Sequence, residues 1–209
     1  SNMFRNGKCL SYKKGWQERV YNREQVHDLF LERLNTVIVD DIRVLSSAPA
    51  QVDNSELCHF GDVRTCIADI PDNSIDLVIT SPPYLNSRDY TDIYMLELKV
   101  LQLINNHEDL RKLRKSTLRS HVQVTYQGIK PINNERLFYC LEKMRISDRN
   151  SWNSDILNMI CGYFEDMQLL FKAFSRVMSK GGMVFFNVAN SAYFGVEIPV
   201  DYIIGDIAE

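Results

Sequence analysis

Ile75-Asp76-Leu77-Val78-Ile79-Thr80-Ser81-Pro82-Pro83-Tyr84 is the stretch on which the fold turns. Its first six residues are largely apolar and rich in β-branched types, the pattern of a strand buried on both faces of a parallel sheet. Two prolines follow. Proline has a fixed φ and no backbone N–H, so it cannot continue a central strand. The strand must stop at Thr80, leaving Ser81, Pro82, Pro83 and Tyr84 at its carboxyl end. In open parallel sheets, ligands bind beyond that end.

The chemistry of the tetrapeptide is specific. The prolines leave rigid carbonyl acceptors, with a hydroxyl before them and an aromatic ring after them. That set suits an aromatic ring bearing an exocyclic amine. The amine of cytosine is a poor nucleophile because its lone pair is delocalised into the ring. Ser81 Oγ and the Pro82 carbonyl can accept its hydrogens and draw the nitrogen toward tetrahedral geometry. Tyr84 can stack on the base and set its plane. The acceleration would come from positioning and electrostatics. A Pro-Pro turn that merely ends a strand is the competing reading.

Outward from this stretch the chain alternates. Residues 57–60 suggest a short strand leading into Gly61-Asp62. Residues 63–70 suggest a short helix, closed by the Pro71-Asp72-Asn73-Ser74 turn. Downstream, residues 92–104 and the strongly basic 108–118 read as helices, while 123–151 show no clear pattern. Residues 155–178 form the clearest helix, with Ile156, Met159, Ile160, Tyr163, Met167, Leu170, Phe171, Phe174 and Val177 at helical spacing. Ser179-Lys180-Gly181-Gly182 should end it, and residues 183–189 read as a second buried strand. A last helix begins near Pro199. This alternation predicts an α/β fold with a mainly parallel sheet. Residues 1–55 form a separate helical or irregular segment, with a helix over 22–44. Residues 56–209 form the catalytic region, with a helical insertion around 92–150.

The net charge of −3 over 209 residues excludes a polycation, so nucleic-acid binding would need local positive charge. The cysteines, Cys9, Cys58, Cys66, Cys140 and Cys161, are odd in number and form no C-x-x-C pair. That argues against a zinc ribbon or disulfide framework and fits a reducing cytoplasm. His27, His59, His107 and His121 lack metal-ligand spacing, so no metal is expected. No apolar run is long enough to span a membrane, and no signal peptide is visible. Ser1-Asn2-Met3 reads as a cleavage scar before a start methionine.

Ser81-Pro82-Pro83-Tyr84 resembles motif IV of the DNA amino-methyltransferases, (S/N/D)-P-P-(Y/F/W). Serine at the first place is typical of cytosine-N4 enzymes; aspartate or asparagine is typical of adenine-N6 enzymes. The longer string TSPPYLNSRDYTDIYMLEL, residues 80–98, is similar to a bacterial group of site-specific DNA methylases. The likeness continues through Leu118-Arg119-Ser120-His121, residues 152–167 and Asn190-Ser191-Ala192-Tyr193, and covers most of 60–209. It implies a Rossmann-like S-adenosylmethionine-dependent fold and methylation of an exocyclic amine in double-stranded DNA with a flipped target base. Cytosine N4 is favoured; adenine N6 is the alternative. Ser81, Pro82, Pro83 and Tyr84 would be catalytic. Gly61, Asp62 and Ser81 would bind the cofactor, Asp62 accepting from its adenine amine. Gly61-Asp62 also reads as a plain turn and helix N-cap.

The family's glycine-rich motif I, of the form D-P-F-x-G-x-G-T, has no counterpart here. Gly181-Gly182 is the only double glycine, and it lies in a turn before a strand. The predicted fold is therefore incomplete. Motif I would lie outside this chain or on a complementary chain, or the chain would be a non-catalytic fragment that binds DNA or a partner. The stop at Glu209 inside an apparent helix points the same way. Residues 36–40 are a faint candidate for a ribose-binding strand, better read as helix.

Arg111, Lys112, Arg114, Lys115 and Arg119 precede His121 within ten residues, a cluster suited to phosphates beside the pocket. A solvated helix face is the competing reading. Asn86, Arg88, Asp89 and Tyr90 follow motif IV closely enough to line the pocket, and Asn190, Ser191 and Tyr193 can border it. Substrate contacts are expected from Asn86, Arg88, Tyr90, Arg119 and His121. Only residues 123–150 leave room for target recognition.

Overall fold

The computed structural model describes residues 3–6, 9–12, 14–18, 20–47, 59, 61–86, 89–146 and 155–209. The strand expected over 57–60 lies almost wholly outside the described residues. The chain separates into two units, Ser1–His59 and Phe60–Glu209.

In the first unit, strands β1 (Met3–Asn6) and β2 (Cys9–Tyr12) pair antiparallel. A helical run follows as α1 (Arg23–Arg33), a π-helical turn (Leu34–Ile38) and α2 (Val39–Ser47). Asn22 begins it with a capping box: its side chain accepts from Gln25 N at 2.8 Å, and Gln25 Oε1 accepts from Asn22 N at 2.9 Å. Residues 36–40 are helical rather than a strand.

The second unit runs α3 (Val63–Cys66), a 3-10 turn (Ile67–Asp69), β3 (Ile75–Thr80), α4 (Tyr90–Ile93), α5 (Met95–Val100), α6 (His107–Ser116), α7 (Glu135–Ile146), α8 (Asp155–Val177), β4 (Met178–Phe186), β5 (Ser191–Tyr193), β6 (Val196–Ile198) and α9 (Val200–Ala208). Helix α8 is the spine, as its apolar periodicity predicts. Met159, Ile160, Tyr163, Phe164 and Met167 are wholly buried against Leu137, Leu141 and Met144 of α7, Ile198 of β6 and Ile203 of α9.

Three expectations are corrected. The helix over 92–104 is two short helices, α4 and α5. The second closes in a Schellman motif: Gln102 takes a left-handed φ of 57°, Leu103 N donates to Leu98 O at 2.9 Å and Gln102 N to Lys99 O at 3.1 Å. Gly181-Gly182 lies within β4, not in a turn before it. Ile75 pairs with Met178 but Leu77 with Met183, so residues 179–182 bulge out of register. Glycine is needed there, since a Cβ on Gly182 would sit 2.6 Å from Met178 Cε and 3.0 Å from Ser179 O.

The third correction concerns the sheet. The fold is mixed α/β, but its parallel part is the pair β3–β4 alone among the described residues; β5–β6 is a separate antiparallel hairpin. Helix α8 covers one face, with Phe186 packed on Phe171 and Phe174 at 5.0 and 6.5 Å between ring centroids. On the other face Leu77, Ile79, Met183 and Phe185 are 48%, 74%, 59% and 56% exposed. Within this unit the strands expected to be buried on both faces are covered on one, by α8, and no described helix of the unit lies over the other. No described helix is long and apolar enough to cross a membrane.

Candidate functional site

Ser81 to Tyr84 leave the end of β3 as an irregular segment, with Pro82 buried, Pro83 and Tyr84 half-buried and Ser81 exposed. The next residue fixes the segment. Leu85 is fully buried in the α8 core. Its carbonyl accepts from two side chains of β5, the Ser191 hydroxyl and the Tyr193 hydroxyl, the latter at 3.2 Å. Ser191 and Tyr193 therefore brace the loop from below. Asn190 Oδ1 instead accepts from Asp201 N at 3.2 Å, at the start of α9.

Ser81 Oγ lies 3.5 Å from the Tyr84 hydroxyl, and Asn187 Nδ2 donates to that hydroxyl at 3.3 Å. Asn187 N also donates to Thr80 O at 2.9 Å, continuing the parallel ladder by one residue past β4. Three polar side chains thus converge where both parallel strands end. Asn187 was not singled out from the sequence, where it is one polar residue in an apolar run. Asn86 N donates to Tyr84 O at 2.8 Å, tightening the turn after the ring. Arg88 lies outside the described residues.

Asp62 is the N-cap of α3, accepting from Arg64 N at 2.9 Å. Its carboxylate also takes the Arg64 guanidinium in a fork, with Nε at 3.0 and 3.1 Å and Nη2 at 2.6 Å. The hydrogen bond from Arg64 holds the Asp62 carboxyl below the usual carboxylate range, against the opposing effect of partial burial. Arg64 continues to Asp166 Oδ1 at 2.9 Å. The Asp166 side chain is 1% exposed and also accepts from Arg119 through its backbone N, Nε and Nη2, at 2.9, 3.1 and 2.6 Å. Arg119 Nη1 reaches Glu165 at 2.7 Å. The guanidinium expected to meet DNA is therefore engaged in a partly buried carboxylate network.

Gly61 precedes this network at φ 148°, and a Cβ there would lie 2.5 Å from Cys66 Sγ. Gly61→Ala should lower stability by about 1–3 kcal/mol. A denaturant midpoint equal to that of the parent protein would show that the turn tolerates a side chain.

A second ion cluster holds the segment after motif IV. Asp89 caps α4, accepting from Thr91 N at 2.8 Å, and pairs with the Arg114 guanidinium. Arg114 also reaches Thr91 Oγ1 at 3.0 Å and Asp92 at 2.7 Å. Tyr90 is half-buried in the first turn of α4. His121 is buried, with Nε2 3.3 Å from Thr117 Oγ1 and no hydrogen-bond partner at Nδ1. Burial pushes its imidazole pKa down, while the Asp89 carboxylate pulls it up. Of the five basic residues before His121, Arg114 and Arg119 serve internal ion pairs. Arg111, Lys112 and Lys115 stay on the exposed face of α6.

The homologues of this chain are Type II DNA methyltransferases. Over 163 residues it is 33% identical to the Type II methyltransferase M.BsoBI of Geobacillus stearothermophilus, a match to 67% of this chain and 31% of that protein. Over 220 aligned positions it is 26% identical to the Type II methyltransferase M.AvaI of Nostoc sp. (strain PCC 7120) and to that of Anabaena variabilis, matching 93% of this chain and 45% of each. The chain spans less than half the length of these curated relatives. No family model matches it, and no solved structure does.

Proposed function

We propose that this chain is the base-holding part of a DNA methyltransferase that modifies an exocyclic amine, cytosine N4 foremost. The convergence of Ser81, Tyr84 and Asn187 at the ends of two parallel strands supports this most directly. Ser81 Oγ and the Pro82 carbonyl accept the amine's two hydrogens. The Tyr84 ring stacks on the flipped base. The Asn187 carboxamide holds the phenol, and so the plane in which the base lies. S-adenosylmethionine would supply the methyl group from its sulfonium. Asp62 suits the cofactor's adenine amine, because it is an ionised, partly exposed acceptor beside a left-handed glycine. Arg64 already occupies much of that carboxylate, so the cofactor amine would share it. Tyr90 and Asn86, on the segment that follows motif IV, would border the flanking strand, whereas His121 is too buried to touch it.

Nucleoside mass spectrometry of DNA treated with a completed enzyme tests this reading. N4-methylcytosine is the expected product. N6-methyladenine would move the target to adenine, and absence of both would reject methylation. A second reading is a module inactive without further polypeptide, favoured by the match to only 31% of M.BsoBI and 45% of M.AvaI. Calorimetry with S-adenosylmethionine separates the two: clear binding by the isolated chain would contradict dependence on other polypeptide.

The exposed face of α6 gives a third test. Replacing Arg111, Lys112 and Lys115 by alanine should weaken DNA binding equally for all sequences. It should also flatten the dependence of log affinity on log salt by about 2–3. An unchanged slope would remove α6 from the DNA interface.

A further inference from the structure

We infer that His121 is a pH-sensitive lock on the segment that follows Ser81-Pro82-Pro83-Tyr84, acting through the Asp89–Arg114 ion pair and touching no substrate. The inference rests on the function proposed above for what the segment serves, and it names how that site is regulated. His121 is 2% exposed. The groups that act on it come from three pieces of chain. The start of α4 brings Asp89 and Asp92, and α6 brings Arg114. The loop after His121 brings the Tyr126 ring, 6.3 Å away between centroids. Thr117 Oγ1 donates to Arg114 O at 3.0 Å and lies 3.3 Å from His121 Nε2. The hydroxyl has one proton and spends it on Arg114 O, so Nε2 is the nitrogen that donates to it. Nδ1 is then a bare acceptor, buried and without a hydrogen-bond partner among the described residues.

That arrangement accepts a neutral imidazole and resists a charged one. Protonation turns Nδ1 into a charged donor with nothing to receive it, and burying an unpaired charge is costly. It also sets a second cation beside Arg114, whose guanidinium holds Asp89 and, at 2.7 Å, Asp92. Tyr126 gives no counter-charge, since burial pushes its phenol up to about 12. Asp89 is the carboxylate that draws most on the new charge, and its Oδ1 caps α4 by accepting from Thr91 N at 2.8 Å. It can serve an imidazolium only by loosening its hold on Arg114 or on the cap; otherwise the ring must turn out to water. Either event releases the residues between Tyr84 and α4. The closed segment therefore prefers neutral His121, burial outweighing the pull of Asp89 and holding its midpoint below the usual 6.5. An opened segment exposes the ring and restores that value. Opening should be constant above pH about 6.5 and grow about tenfold for each unit below it, until the closed form itself takes up the proton.

Hydrogen exchange of the 209-residue chain across this pH range tests the lock, with rates corrected for the intrinsic effect of pH. Amides over residues 84–94 should lose protection by about tenfold per pH unit below about 6.5, while those of α8 keep theirs. In His121→Gln, which is polar but does not titrate, residues 84–94 should show one level of protection throughout. If that variant fails to fold, the parent chain decides: the His121 imidazole resonance should titrate below the usual 6.5, in step with the loss over 84–94. Protection over 84–94 that ignores pH overturns the inference. So does a loss shared equally by α8, a loss that persists in His121→Gln, or a His121 midpoint at or above 6.5. No DNA or cofactor enters these measurements. A lock in a chain that never supports methyl transfer would sustain this inference while sinking the function proposed above; methyl transfer by a completed enzyme whose 84–94 segment ignores pH would do the reverse.

Discussion

Tyr84→Ala and Ser81→Ala, made in a completed enzyme, should each lower single-turnover methyl transfer by about a hundredfold or more while leaving the fold intact. Tyr84 is only half-buried and Ser81 is exposed, so neither substitution opens a core cavity. The loss comes from geometry. Without the ring the base has no stacking plane, and without the hydroxyl the amine loses one of two acceptors; misplacement by an ångström costs on this scale. Tyr84→Phe keeps the ring but drops the contacts from Asn187 and Ser81, so its loss should be smaller. Near-normal rates in both alanine variants would discard the mechanism.

Asp166→Leu should produce the largest loss of stability, about 3–5 kcal/mol, read as a fall in the urea midpoint. Asp166 is the acceptor between two arginines that have little other access to water, and its removal strands both guanidinium groups. Glu165 and Asp62 keep partial hold of them, which places the loss toward the lower end. The same network carries a pH signature. Because Arg64 depresses the Asp62 carboxyl in the folded state, its stabilisation is complete above the unfolded value of about 4. It fades as pH falls through the lower folded value. Asp62→Asn should therefore flatten the acid limb of a stability profile and leave its neutral part nearly parallel. An unchanged midpoint in Asp166→Leu would show that the ion network contributes little to folding.

The sequence shows local patterns and conceals distant partners, and the individual elements divide along that line. The apolar stripe of α8, the strand ending at Thr80 and the helix after Pro199 follow from short-range periodicity and from proline's missing donor. Helix α7 falls inside the helical insertion expected around 92–150, but its bounds are not readable although Leu137, Cys140, Leu141 and Met144 recur at helical spacing, because the surrounding stretch hides its ends. The end of α5 was misplaced because Gln102, not glycine, adopts the left-handed turn. The hairpin β5–β6 escaped for a similar reason, Phe194 taking a positive φ before Gly195. At the candidate site, Ser81 and Tyr84 can be singled out in the sequence because the prolines between them mark the strand end. Asn187 cannot, its partner being 103 residues away. Arg114 and Arg119 read as phosphate ligands because the carboxylates that claim them, Asp89 and Asp166, lie elsewhere in the chain. The one-sided cover of the sheet within this unit was illegible too, since an apolar strand reads the same whether or not its cover is at hand.

The hydrogen bond from Asn187 to Tyr84 has a consequence for biosynthesis. The serine, the prolines and the tyrosine leave the ribosome early, yet the platform they belong to cannot assemble until β4 has emerged and closed a loop of roughly a hundred residues. Closing a loop of that length carries an entropic penalty that must be met before its contacts repay it. Helix α8, which ends where β4 begins and packs on its Phe186, is the element placed to meet that penalty. A nascent chain halted before Asn187 would carry the motif in full and have no site.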